Sequence, residues 1–320
     1  MFPLLRKVNK INNKIKKRND METTAKTMTA YGNCTLVQLS AKPGASFKFG
    51  PGGPAMKSGG LVISEADSFG VVGRLVALNN TDEFLLLTDA DILVGAKQNR
   101  VLNKSLLLAP HSKTILDVSC IERGRWHYTS KDFSSPSTLA DADLRKTKAQ
   151  SLSDAQVQLR SAPDVQSKVW CHISNELAEN NVISRTESYA DLVSGKEKMT
   201  RSPYPMFKPA EGCNGLAVIF GNQLSCIDIF GTDEVFRYYF PKLKEAAFLK
   251  ARTGKEAVAM DPHEAKFRVL DHLDHFEAAE KIQDRNYPGT GSYFFRHGNA
   301  FWGFELENAG EVIHRGLFAE

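Results

Sequence analysis

No apolar run in this chain of 320 residues reaches the ~20 residues that a membrane-spanning helix needs. That lack sets aside an integral helical membrane protein. Cysteine is scarce as well. The five present, Cys34, Cys120, Cys171, Cys213 and Cys226, are odd in number, and none forms a C-x-x-C pair. Neither a disulfide framework nor a structural zinc site fits; reduced thiols in a cytosol-like compartment do. A lasting excess of one charge is also missing. The formal net charge is +4, but residues 1–20 hold seven basic residues and one acid, which leaves 34 basic against 36 acidic residues in the other 300. That remainder is near neutral, so neither a nucleic-acid nor a membrane partner is expected. What is there, 42% hydrophobic and 24% charged residues, is the composition of a globular protein with enough chain for one large core or two lobes.

The opening stretch, "MFPLLRKVNKINNKIKKRND", lacks the longer apolar core of a secretion signal. It is basic and acid-poor like an organellar transit peptide, yet it has no Ser and only Arg6 and Arg18. Residues 1–27 are read as a basic disordered leader. A start at Met21 or Met28 and organellar targeting stay open beside that reading. Residues 28–320 are expected to form a single α+β domain, or two lobes, 28–130 and 161–320, joined by a polar segment, 131–160. The expected location is cytoplasmic.

Residues 43–60, "PGASFKFGPGGPAMKSGG", imitate a phosphate-binding loop at their end. Met56 and Pro51 stand where that motif needs glycine, and prolines remove the amides such a loop donates. An ordinary loop is expected. From Leu61 to about Tyr128, short apolar runs such as "GLVISEA", "GVVGRLVAL" and "TILDVSCI" fit antiparallel strands of a small sandwich or half-barrel. Residues 129–160 are polar and without pattern, a linker or excursion. Ser161, as N-cap with Pro163 in the first turn, opens a helix to about Asn180. "GLAVIFGNQLSCIDIF" reads as a hairpin around Gly221-Asn222. Thr232-Asp233-Glu234 opens a helix that Pro241 restarts or kinks. Pro262 opens a long amphipathic helix, and two or three strands with a turn at Gly298-Asn299 close the chain. Strands and helices are segregated, so the fold class is α+β: an antiparallel β-rich N-terminal part with hairpins, then helices, then a C-terminal antiparallel sheet.

Chemistry concentrates in "LVGAKQNRVLN" (93–103) and "SCIERGRW" (119–126). A turn needs Gly, Pro, Asn or Asp; Lys97, Gln98, Asn99 and Arg100 exceed that need. Two expected strands and a turn at Pro110-His111-Ser112 separate the motifs and would return both to one end of a sheet. Together they offer Lys97, Arg100, Arg123 and Arg125 as cations, Gln98 and Asn99 as amides, Glu122 as the one carboxylate, and Trp126 as a flat apolar face. Arginine forks and a lysine charge suit a phosphate, and a Trp suits a base or sugar. The competing reading is structural: hairpin ends with snorkelling charges and a Glu122–Arg pair that holds the fold.

"LVGAKQNRVLN" followed by "DVSCIERGRW" resembles the ADP-ribosylglycohydrolase- and rhodanese-phosphatase-associated protein domain family. The likeness extends more loosely to Leu144-Arg145, to Trp170, and to "GLAVIFGNQLSCIDIFGTDEVF", over about residues 55–320. It implies a role in NAD or ADP-ribose metabolism and no particular reaction. On that basis the expected function is binding, and in one version processing, of an ADP-ribose-like nucleotide or sugar phosphate. Lys97, Arg100 and Arg125 would hold the diphosphate, with Arg123 nearby. Gln98 and Asn99 would meet ribose hydroxyls, and Trp126 would wall the pocket. If the protein is an enzyme, a hydrolase or transferase, Glu122 is the general base. The alternative is a non-enzymatic partner or scaffold of an ADP-ribose-processing enzyme.

Other candidates are weaker. His272 and His275, with Asp271, share a helix face at metal-ligand spacing, but a solvated His/Asp face is the plainer reading, and no metal or other cofactor is expected. Cys120 with His127 as base is set against a buried structural thiol. The aromatic run "YFFRHGNAFWGF" reads as a core strand in preference to a stacking platform.

Overall fold

The computed structural model describes residues 22–42, 45–67, 70–157, 164–199, 204, 206–253 and 258–320. In chain order the strands are β1 (Glu22–Tyr31), β2 (Cys34–Lys42), β3 (Phe49–Pro51), β4 (Leu61–Glu65), β5 (Arg74–Asn79), β6 (Phe84–Leu87), β7 (Ile92–Gly95), β8 (Arg100–Leu102), β9 (Leu106–Leu108), β10 (Ser112–Cys120), β11 (Phe133–Ser134), β12 (Gly215–Phe220), β13 (Gln223–Phe230), β14 (Ile282–Gln283), β15 (Ser292–Gly298), β16 (Phe301–Asn308) and β17 (Glu311–Ala319). The helices are α1 (Gly52–Ser58), α2 (Ala142–Val157), α3 (Val165–Glu179), α4 (Tyr189–Met199), α5 (Asp233–Phe248) and α6 (Pro262–Ala278). The mixed α+β class and the segregation of strands from helices are as the sequence suggests.

Three sheets organise these elements. The largest has the order β1-β2-β12-β13-β17-β16-β15-β14 and is antiparallel throughout. Its strands alternate between two apolar layers. On β2, Leu36 faces the layer that holds Leu144 of α2 and Phe236 of α5, while Val37 and Leu39 face the layer that holds Val269 and Leu273 of α6. The second sheet has the order β11-β7-β8-β10-β5-β4, and the third is β3-β6-β9 with β3 and β6 parallel. These two enclose Leu61, Leu75, Leu85, Leu93, Leu102 and Leu116, close to the expected half-barrel. Among the described residues no helix is long and apolar enough to cross a membrane.

Local signals explain most boundaries. The β12–β13 turn uses Gly221 at φ +58°, a left-handed conformation that glycine adopts without strain. The α5 N-cap is Thr232, whose side chain accepts from the Val235 amide at 3.3 Å, and Asp261 caps α6 ahead of Pro262. Asp164 caps α3 through the Ser167 amide; the expected N-cap Ser161 lies outside the described residues. Four expectations are corrected. Residues 22–27, assigned to the leader, form the first part of β1. The stretch 43–60 contains β3 and α1. The patternless segment 129–160 contains β11 and α2. Finally, α5 is one helix that contains Pro241, so Pro241 does not restart it.

Candidate functional site

The four polar residues after β7 are not a solvated turn. Lys97, Gln98, Asn99 and Arg100 are all buried. The reason begins in the backbone. β7 and β8 pair at Ile92↔Val101 and Leu93↔Arg100, so the chain must reverse between them. It does so through Gly95 at φ +129° and Ala96 at φ +40°. Ala96 is a side-chain-bearing residue in the left-handed region, a conformation kept only where surroundings enforce it. The enforcing group is Arg125. Its guanidinium donates to Ala96 O at 2.8 Å, His127 O at 3.1 Å, Thr129 Oγ1 at 3.3 Å, Gly95 O at 3.4 Å and Asn99 Oδ1 at 3.0 Å. Its Nε donates to Glu122 Oε2 at 2.8 Å.

The two motifs therefore meet. Their strands are neighbours, with Cys120 opposite Arg100 across β10 and β8. The Asn99 amide donates to Glu122 Oε2 at 3.2 Å. Gln98 is used at both ends: its Nε2 donates to Glu122 O at 3.1 Å and its Oε1 accepts from Arg100 Nη1 at 2.8 Å. Asn99 Oδ1 accepts from the Gly95 amide as well as from Arg125. Lys97 Nζ lies 5.4 Å from the Trp126 ring centroid and 5.2 Å from that of Tyr128, and Arg100 Cζ lies 5.7 Å from Trp126. Arg123 points elsewhere, to Glu187 at 3.5 Å and over the Trp170 ring at 5.2 Å.

Arg100 stands apart from this mutual satisfaction. It is 0% exposed, and its Nε and Nη2 have no hydrogen-bond partner among the described residues. Burial pushes its guanidinium below its ordinary value, against the pull of Cys120, Glu65 and Glu122. The remaining sequence candidates have plainer places. Cys120 is buried, which pushes its thiol up, and His127 is exposed beyond the end of β10. His272 and His275 each turn Nδ1 back to a helix carbonyl, Arg268 O and Asp271 O, at 2.8 Å. Tyr293, Phe295, Phe301 and Phe304 of the aromatic run are core.

A second polar cluster escapes the sequence reading. Arg145 of α2 forks across two carboxylates, with Nε at 2.9 Å from Asp89 Oδ2 and Nη2 at 2.6 Å from Asp228 Oδ1. His314 Nε2 lies 3.2 Å from Asp228 Oδ1, and its Nδ1 lies 2.8 Å from Ser105 Oγ. Lys148 donates to Asp89 O and Leu102 O, both at 2.5 Å. The order Ser105–His314–Asp228 is that of a nucleophilic relay, but all three residues are buried and Asp228 is committed to Arg145. The bordering cavity, lined by Arg145, Asp228, Cys226 and Lys250, holds about 20 Å³, room for a water and not for a substrate. Burial raises the Asp228 carboxyl; the Arg145 pair and His314 outweigh that and hold it well below the carboxylate range. The available signal was a polar residue inside an apolar run: Asp89 in "LLLTDADIL", Asp228 in "CIDIF", His314 in "VIHRGLF".

Comparison with the curated proteins finds no match to this chain, and neither does comparison with the solved structures. The family model described as the ARG and Rhodanese-Phosphatase-superfamily-associated Protein domain matches residues 22–318. Nearly the whole described fold lies within that match, and the chain belongs to that family.

Proposed function

We propose that this protein is a non-enzymatic partner of an ADP-ribose-processing enzyme. The family's name associates its members with an ADP-ribosylglycohydrolase. The observation that carries the reading is the commitment of Glu122 and Arg125 to each other and to the 95–99 turn. Glu122 was the candidate base and Arg125 a candidate phosphate fork; both are spent on the fold. The five cysteines are free thiols, four of them buried, in keeping with a cytoplasmic place of work. The test mixes the purified chain with a purified ADP-ribosylglycohydrolase and follows sedimentation and hydrolase turnover. Association is expected, with no turnover of ADP-ribose or NAD by the chain alone. Turnover by the chain that disappears in Glu122→Gln would overturn the reading.

The unpartnered N–H groups of Arg100 favour a second reading. An ADP-ribose-like nucleotide or sugar phosphate would reach Arg100 and Lys97 beside Trp126, without help from Arg125. Mass action requires such a ligand to stabilise the fold. A Tm rise with ADP-ribose, NAD or ribose phosphates that is absent in Arg100→Met supports it, and a flat response to all of them supports the partner reading alone.

A further inference from the structure

The exposed large hydrophobic side chains are unevenly spread. Among the described residues there are eleven, and five of them, Val71, Val72, Leu78, Ile115 and Tyr128, lie on or beside strands β4, β5 and β10. Pleating explains the gathering. These strands send Leu61, Ile63, Leu75, Ala77 and Leu116 into the core, so their alternate residues form an outer face. Register arranges that face in rows. Lys113, Leu78 and Val62 make one row, and Ile115, Val76 and Ser64 the next. Asp117 and Arg74 make the last. Ile115 and Leu78 are 52% and 37% exposed, so no helix lies over them. An apolar face left open in this way marks an interaction site.

The charges on this face identify its occupant. Lys113 and Asp117 stand two residues either side of Ile115 on β10, with opposite sign. Among the described residues neither side chain makes a hydrogen bond or an ion pair. Opposite charges placed evenly about a centre are self-complementary under one operation, a twofold axis between stacked sheets that runs across the strands at the level of Ile115. That axis lays β10 antiparallel over β10 of a second copy. Lys113 of each copy then faces Asp117 of the other, Ile115 faces Ile115, and Val76 faces Val76. Arg74 lays its stem along Leu78 of the other copy. A twofold along the strands would set Lys113 against Lys113 and Asp117 against Asp117, which repel.

The same rotation matches the face in shape. Val71 and Val72 belong to the β4–β5 connection and lie at the Arg74 end, where Val71 bridges to Arg74. At the Lys113 end, Val62 and Leu78 line a cleft of about 760 Å³ that residues 128–132 help to wall. Both features are on the β4 flank. Rotation exchanges the two ends and keeps the flank, so the exposed Val71 and Val72 of each copy come to the cleft of the other, beside Tyr128.

We propose that the outer face of β4, β5 and β10 is the interface of a twofold dimer of this chain, with β10 antiparallel to β10 of the second copy. The proposal goes beyond the partner reading above and does not depend on it. Sheets packed face to face stand about 10 Å apart with strands aligned to within about 30°, a gap that apolar side chains from both faces fill. The Lys113–Asp117 pairs sit at the edge of that layer and fix its orientation, the part that charge plays best at an interface.

The test follows the full chain by sedimentation velocity over a range of concentrations. The wild type should show a reversible monomer–dimer equilibrium. Ile115→Glu, Lys113→Glu and Asp117→Lys should each weaken dimerisation by roughly tenfold or more. All three positions are on the outer face, so each monomer should keep its fold. Mixing the Lys113→Glu and Asp117→Lys chains should restore dimers, because the mixed pair regains both opposite-charge contacts, a rescue that a misfolded variant could not give. The double variant Lys113→Glu/Asp117→Lys should dimerise like the wild type for the same reason. A wild type that stays monomeric throughout would overturn the proposal. So would a dimer indifferent to Ile115→Glu or to both charge reversals, or charge variants that remain impaired when mixed.

Discussion

Arg125 Nη2 lies 2.7 Å from Glu122 Oε2, with side-chain exposures of 8% and 11%. A pair this buried does little for stability as a pair, because desolvation offsets the attraction. Its role follows from the other bonds. The same guanidinium collects the carbonyls of Gly95 and Ala96, where the chain turns through left-handed conformations. Substituting Arg125→Lys keeps the charge and loses the fork. The expected cost is roughly 1–3 kcal/mol from unpaired acceptors, measured as a shift in urea midpoint with unchanged slope.

Arg145 should be less replaceable. It is the shared cation of Asp89 and Asp228, and it ties α2 to both parts of the fold. Arg145→Met would strand two buried carboxylates, a loss on the order of 3–5 kcal/mol or more. The sign of the pH dependence should also reverse. In the wild type the Asp228 carboxyl is held below its usual range. Its contribution is therefore present above the unfolded value of ~3.9 and is lost as pH falls below it. Without Arg145, burial outweighs the remaining His314 contact and raises the carboxyl, so acidification from neutral towards pH ~4 should stabilise the variant. Urea denaturation between these pH values reads both signs.

Lys148 makes a prediction on the alkaline side. Burial pushes its amine down to about 7, against Asp89, Asp141 and Asp91 and with help from Arg145. The unfolded lysine titrates near 10.4, so between these values the unfolded chain binds more protons and stability rises with pH. Below pH 7 the cost of the buried charge is constant. The gain from pH 7 to 10 should be on the order of 2–4 kcal/mol, and Lys148→Met should flatten that slope.

The first strand offers a simple check. Residues 22–25 pair with 39–42 of β2, and Ala25 and Met28 pack on the apolar layer under α6. A chain starting at Met28 should therefore melt several degrees below one starting at Glu22, since ~1 kcal/mol moves Tm by about 2–4 °C in a protein of this size class. Equal melting temperatures would show that the strand's first half is dispensable.

Much of the fold was legible where local chemistry decides it. Gly221-Asn222 and Gly298-Asn299 marked two hairpins, and Thr232 and Pro262 marked helix starts. The same Gly-Asn signal at Gly32-Asn33, with Gly32 at φ +58°, announces the β1–β2 turn, a few residues beyond the stretch assigned to the leader. Helix α2 was illegible for a different reason. Its buried face includes Arg145, Lys148, Ser151 and Ser153, so hydrophobic periodicity, which reports apolar burial, falls silent. Arg145 and Lys148 are buried because their partners, Asp89, Asp228 and the Leu102 carbonyl, lie far away in sequence, while Ser151 turns its hydroxyl back to Thr147 O. At the motif, residue types revealed that Lys97 to Arg100 and Glu122 to Trp126 belong together. They did not reveal that the turn at Gly95 and Ala96 consumes most of their hydrogen bonds.

That consumption is the central claim, and a double-mutant cycle tests it most directly. Glu122→Gln, Arg125→Met and the double variant are unfolded in urea, and each is titrated with ADP-ribose. The account predicts losses of roughly 3–5 kcal/mol for Arg125→Met, a coupling between the two sites above about 1 kcal/mol, and no loss of ADP-ribose binding that the stability loss does not explain. Stability within ~1 kcal/mol of the wild type, together with a tenfold or greater fall in ADP-ribose affinity, would contradict it and return Arg125 to a ligand.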